Sequence, residues 1–103
     1  MSEFDMHSLF GSLQGQKTKQ ALNQSSTERS FVLSRSTFAG SGATAAHWMG
    51  ENTRNWDEMK YSIAGVMNFN MFGIPMTGPT TCGYYKDESI GAVEQRQLCA
   101  RWI

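Results

Sequence analysis

Three short segments of this chain set residues with chemical potential beside glycine. They are Phe31-Val32-Leu33-Ser34-Arg35-Ser36-Thr37-Phe38-Ala39-Gly40-Ser41-Gly42, His47-Trp48-Met49-Gly50-Glu51-Asn52-Thr53 and Phe72-Gly73-Ile74-Pro75-Met76-Thr77-Gly78. Glu51 is a carboxylic acid able to give and take a proton, which is acid/base chemistry if a substrate atom lies within hydrogen-bond reach. Arg35 offers five fixed N–H donors suited to oxygen-rich ligands. Trp48 offers a flat apolar face. Each segment lies at or just past a run that reads as a buried strand, and an α/β barrel keeps its chemistry at the carboxyl ends of its strands.

Taken singly, these residues also have plainer accounts. A lone glutamate before Asn52-Thr53 reads as a solvated loop residue, Arg35 as half of an ion pair, Trp48 as core. His47 precedes Trp48 and points to the other side of the strand, so it reads as a hydrogen-bonded structural histidine, not a base. Two cysteines, Cys82 and Cys99, and two distant histidines do not make a metal site. Asn23-Gln24-Ser25 fits a glycosylation acceptor pattern. The methionines read as packing filler.

Composition narrows the classes. The 103 residues carry no net formal charge and 40% apolar residues, ordinary for a globular protein. No lysine or arginine run is present, which argues against nucleic acid or an anionic membrane as main partner. No apolar stretch approaches the ~18 residues that span a bilayer. Met1-Ser2-Glu3-Phe4-Asp5 is not a signal peptide, so the chain is either cytosolic or starts further upstream. Arg101-Trp102-Ile103 falls inside an amphipathic run. We expect an internal fragment of a larger domain, with no complete domain in residues 1–103.

The elements that would position these groups can be read from periodicity. Residues 6–24 predict a helix, with Met6, Leu9, Phe10, Leu13, Ala21 and Leu22 near helical spacing and Gly11 and Gly15 weakening its middle. Phe31-Val32-Leu33 predicts a strand ending near Arg35. The small-residue stretch 37–46 predicts a tight loop into a strand at 45–49. Asn55 is set to cap a helix over residues 56–72, with Glu58 as its reciprocal partner and Trp56, Met59, Ile63, Val66, Met67 and Phe69 as its apolar face. Gly73 and Pro75 end it. Residues 74–77 predict the third strand, 84–91 a polar loop, and 92–103 a last helix. Strands alternating with helices imply a parallel sheet. Three strands cannot close a cylinder, so the expected fold is α/β, a partial (β/α)8 TIM barrel.

The same three segments, with Cys82-Gly83-Tyr84 and the opening Asp5-Met6-His7-Ser8-Leu9-Phe10-Gly11, resemble glycoside hydrolase family 31. The resemblance covers nearly the whole chain, with its motifs in the right order and at the right mutual spacing. It implies a barrel that hydrolyses α-glucosides with retention, needing no cofactor. Retention takes two carboxyl groups about 5–5.5 Å apart, one attacking carbon and one serving as acid and then base. The acid/base role maps onto Glu51, substrate positioning onto Arg35 and Trp48, and a pocket aromatic onto Tyr84, which otherwise reads as a surface tyrosine. The nucleophile falls upstream of this segment. An α-linked oligosaccharide or glucoside is the implied partner. Cys82 and Cys99 match positions joined by a disulfide in the family, which would place the protein in the secretory pathway, a lysosome or vacuole, or outside the cell. Two reduced thiols would fit a cytoplasmic protein.

Two positions depart from the family. Glu51 stands where it has aspartate, on a stem one methylene longer. Thr80, in Gly78-Pro79-Thr80-Thr81-Cys82-Gly83, stands where it has a substrate-holding aspartate. A hydroxyl donates or accepts a hydrogen bond but carries no charge, and charged partners bond more strongly. The segment from Tyr84 to Gln97 is longer than the family's. These departures leave a catalytically impaired, sugar-binding or structural relative as the alternative. A small α/β interaction domain folding alone is a third reading, disfavoured by the sheet edges it would expose.

Overall fold

The computed structural model describes residues 2–103. The elements run α1 (Glu3–Met6), α2 (Phe10–Ser25), β1 (Leu33–Ser34), β2 (Ala46–Trp48), α3 (Trp56–Met71), β3 (Thr77–Gly78) and α4 (Ala92–Trp102). One sheet has the order β1-β2-β3, both pairings parallel, with Leu33 opposite Ala46, His47 opposite Thr77 and Trp48 opposite Gly78. The α/β class, the parallel sheet and the flanking helices are as the sequence predicts.

Two strands lie further along the chain than expected. β1 is Leu33–Ser34, not 31–33, and β3 is Thr77–Gly78, not 74–77. Pro75 has no N–H to give a ladder, and pairing begins beyond it with His47 N–H on the Met76 carbonyl at 2.9 Å. The shift brings each strand's end closer to the residues of interest, because Arg35 directly follows β1.

α3 forms as expected and stops at the expected glycine. Asn55 has extended backbone, and its side chain accepts from Glu58 N–H at 2.9 Å. The reciprocal bond from Glu58 is not made; Asn55 N–H donates instead to the Thr53 carbonyl at 3.0 Å. Asp57 and Glu58 occupy the first turn, where the helix dipole favours anions. Gly73 takes φ +79°, and Ile74 N–H reaches back to the Phe69 carbonyl at 2.9 Å, satisfying an orphan carbonyl of the last turn. The inward stripe is Trp56, Met59, Ser62, Val66 and Phe69, whereas Ile63 and Met67 are exposed. Apolar identity mispredicted those two, and Ser62 lies inside because its hydroxyl donates to the Met59 carbonyl.

The glycines expected to weaken the first helix instead let it approach the sheet. The helical span starts earlier, at Glu3, and a 3-10 turn over His7–Leu9 divides it. Phe10, Leu13 and Leu22 are exposed, while Gly15 is the buried residue of α2. A side chain at Gly11 would run into Ser36. Residues 35–45 connect β1 to β2 without an α-helix. This stretch folds into a 3-10 turn over Ser41–Ala43. Gly42 packs so closely on the Gly73 carbonyl that no Cβ fits there, and Ser41 hydroxyl bonds Ser12 hydroxyl at 2.9 Å.

His47 lies behind the sheet, as its alternation with Trp48 requires. It is buried, stacked on Phe69 of α3 with ring centroids 3.9 Å apart, and its Nδ1 bonds Thr37 hydroxyl at 2.8 Å. Burial, and then the charge of Arg35, lowers its pKa from the ordinary 6.5. The folded state therefore favours neutral imidazole. The stability this contributes is full above the unfolded value and is lost as pH falls below it, because the unfolded chain binds the proton first. We expect the melting temperature to fall between about pH 7 and pH 5. His47→Asn, which keeps a partner for Thr37, should flatten that fall. An equal slope in both proteins would contradict the assignment.

Candidate active site

The parallel strands deliver three groups to one edge of the sheet. Arg35 follows β1, Trp48 ends β2, and Gly50-Glu51 come after a single intervening residue, Met49. The Arg35 guanidinium lies over the Trp48 ring, 5.3 Å from its centroid, a cation–π arrangement. Arg35 also packs on Gly50. Gly50 takes φ +104°, and a Cβ there would lie 3.0 Å from Arg35 Nη2. Glu51 is exposed and accepts a hydrogen bond from the Tyr85 hydroxyl at 2.9 Å. Arg35 is near enough for its charge to act on Tyr85. The sequence-predicted trio thus shares one neighbourhood. Arg35 and Glu51 are exposed and Trp48 half-buried, so they line an open shelf, not an enclosed hollow.

Thr80 binds protein groups. Its hydroxyl accepts from Trp48 Nε1 at 3.2 Å and donates to the Gly50 carbonyl at 3.3 Å. That bridge fixes the indole against the turn that carries Glu51. Thr80 stands where the family motif has an aspartate, and a neutral hydroxyl suffices for both of these contacts.

Cys82 and Cys99 form a disulfide, with Cα atoms 4.5 Å apart, tying the loop after β3 to α4. Cys82 and Gly83 both have positive φ, 68° and 78°. Arg54 holds this turn, donating from Nε to the Cys82 carbonyl at 3.1 Å and from Nη2 to the Gly83 carbonyl at 3.4 Å. Beyond the turn the chain is pinned to the segment after Glu51. Tyr84 and Tyr85 N–H both donate to the Asn52 carbonyl, at 2.7 and 3.2 Å, and Arg54 N–H donates to the Tyr85 carbonyl at 2.7 Å. Tyr84 is exposed and meets Tyr85 edge-on, centroids 5.0 Å apart. The rest of the polar loop is braced too. Asn55 donates to Asp87 at 3.2 Å, and Trp56 Nε1 donates to Glu94 of α4 at 2.7 Å. Bonds from Ser89 and Asn55 lower the pKa of Asp87.

Sequence reasoning missed two of these residues. Tyr85 lies on a loop with no periodic signal. Arg54 carries no motif. A hint was present for each in the tyrosine and arginine side chains flanking recognised segments, but only the fold shows what they reach. A concavity of about 430 Å³ between the sheet and α3, lined by Arg35, Thr37, His47, Phe69 and Ile74 among others, lies on the face His47 occupies, away from Trp48. Among the described residues, no group of three or more His, Cys, Asp or Glu is placed to hold a metal ion.

The chain as a whole has counterparts among known proteins. Residues 1–103 match the family model for the glycosyl hydrolases family 31 TIM-barrel domain. The chain is 45% identical over 103 residues to a probable alpha-glucosidase of Oryza sativa subsp. japonica, covering 100% of this chain and 11% of that one. It is 43% identical over 102 residues to intestinal sucrase-isomaltase of Homo sapiens, covering 98% and 5%. It is 42% identical over 103 residues to lysosomal acid alpha-glucosidase of Tetrahymena pyriformis, covering 100% and 10%. In three dimensions it is similar to the glucosidase II alpha subunit in its alpha3-Glc2-bound form. The TM-score is 0.82 at 32% identity, over 97% of this chain and 10% of that one. The chain thus spans about a tenth or less of the length of these relatives. With the whole segment matched, the parallel strands and the disulfide in place, the chain belongs to glycoside hydrolase family 31.

Proposed function

We propose that this chain is a slice of the catalytic barrel of a retaining α-glucosidase-like hydrolase that cleaves O-glycosyl bonds of α-glucosides. The observation that carries this is the convergence of Arg35, Trp48 and Glu51 at the carboxyl ends of adjacent parallel strands, the guanidinium lying over the indole. Glu51 is the general acid, protonating the leaving oxygen, and then the base that activates water. Arg35 donates to sugar hydroxyls, and Trp48 packs on the apolar face of the ring. Tyr84 forms an outer wall. The attacking carboxylate comes from a strand outside this segment, so the isolated 103 residues are inactive.

Packing supports the slice. Among the described residues only Ala46, Ile74 and Leu98 form a buried apolar core, while Phe31, Leu33, Ile63, Met67, Phe72 and Met76 are more than half exposed. The radius of gyration is 16.6 Å, against about 13 Å for a compact domain of this length. Such surface fits a sheet that continues on both sides. The disulfide favours an oxidising compartment, which we place in the secretory pathway or an organelle it feeds.

The test uses the full-length protein. Maltose should be hydrolysed, and proton NMR at early times should show α-glucose as first product from the non-reducing residue. First release of β-glucose would refute the retaining mechanism. Maltose binding without hydrolysis would favour the sugar-binding relative suggested by Glu51 and Thr80.

A further inference from the structure

Resting on the assignment of Glu51 above, we infer that Tyr85 is a positioning residue for that acid, holding its longer side chain at the point where a leaving oxygen must be protonated. The Tyr85 hydroxyl donates to Glu51 Oε2 at 2.9 Å. What makes this more than a surface contact is how firmly the donor is presented. The Tyr85 backbone is held at both N–H and carbonyl by Asn52 and Arg54, and Thr53 pairs with Tyr85 in a parallel bridge. The residues gripping Tyr85 are therefore the ones that immediately follow Glu51. Tyr84 braces its ring edge-on. Arg54 and the Cys82–Cys99 disulfide fix the turn from which both tyrosines emerge.

The chemistry explains why a tether matters. A glutamate has one more rotatable bond than an aspartate, and an exposed one samples several rotamers. Proton transfer tolerates little misplacement: a shift of ~1 Å costs on the order of a hundredfold. A phenol fixed by backbone bonds narrows that freedom. The carboxylate in turn raises the pKa of Tyr85 from its ordinary 10.0, chiefly through this hydrogen bond, so the phenol stays a donor throughout the neutral range.

The test is leaving-group dependence in the full-length protein. Maltose needs its leaving oxygen protonated; α-glucosyl fluoride needs far less help. Tyr85→Phe keeps the ring and its contact with Tyr84. We expect kcat/KM for maltose to fall about 10- to 100-fold, and that for the fluoride to fall by less than about threefold. In Glu51→Asp the shortened acid no longer reaches the phenol, so adding Tyr85→Phe should cost less than about twofold more. Equal losses on both substrates, no loss on either, or full additivity with Glu51→Asp would each overturn the inference. The two readings fail separately. If Glu51→Gln leaves maltose hydrolysis intact, the acid assignment falls and Tyr85 falls with it. If Glu51→Gln abolishes hydrolysis while Tyr85→Phe acts on both substrates alike, Tyr85 alone falls.

Discussion

Glu51→Gln in the full-length protein is expected to lower kcat/KM for maltose by about 10²–10⁴-fold, the usual contribution of a positioned acid/base group. Glutamine keeps the volume and can still bond the Tyr85 hydroxyl that Glu51 accepts at 2.9 Å, so the shelf should keep its shape. It cannot donate a proton to a departing alkoxide. Hydrolysis of α-glucosyl fluoride should suffer much less in its first step, because fluoride leaves without protonation. The second step still needs a base, and an added azide ion should relieve it by attacking the glycosyl intermediate without one. The expected product is α-glucosyl azide, formed by a second inversion at the same carbon. Loss of activity on maltose and fluoride alike, with no azide adduct, would instead indicate that Glu51 holds the fold or the substrate.

Gly50→Ala should cost about a hundredfold in kcat/KM, although no reacting atom is removed. Two effects coincide at this residue. Its φ of +104° is one that residues with a Cβ rarely adopt, worth roughly 1–3 kcal/mol of strain. The new methyl group would also sit 3.0 Å from Arg35 Nη2 and 3.1 Å from Cζ. The guanidinium is the free end of a long side chain and will give way, which takes it off the Trp48 ring it now covers at 5.3 Å. Gly40 separates the two effects. It has φ +89° with nothing within 4 Å of a Cβ, so Gly40→Ala carries the strain without the contact. Both variants should lower the melting temperature, while only Gly50→Ala should lose activity out of proportion to stability. Similar kcat/KM in the two variants would show that Gly50 has no role in holding Arg35.

The fold was legible where a local rule leaves little choice. Asn55 four residues before Met59, acids in the first turn and Gly73 before Pro75 bracket α3 almost to the residue. The alternation of strands and helices predicts the parallel sheet found. Arg35, Trp48 and Glu51 stood out in the sequence because each follows or ends a strand within a recognisable motif, and the structure sets them at the carboxyl ends of adjacent strands. The strand limits were less legible. Two-residue strands have no period to read, and their limits are set by partners: β3 begins where His47 can bond Met76. Ile63 and Met67 misled for a related reason, since apolar identity does not say which face of a helix meets the sheet.

By itself, the order of residues determined the class, the limits of α3, the family and the identity of the charged and aromatic groups proposed for the site. These follow from short-range chemistry: capping, positive-φ glycine, proline's missing N–H and side-chain types at fixed offsets. Only the tertiary structure decided that Thr80 bridges Trp48 to Gly50, that Gly42 needs room for the Gly73 carbonyl, and that Tyr85 reaches Glu51. Those contacts join residues some thirty positions apart. Their existence depends on how the strands register and how the turn at Cys82-Gly83 redirects the chain, and no local pattern encodes either.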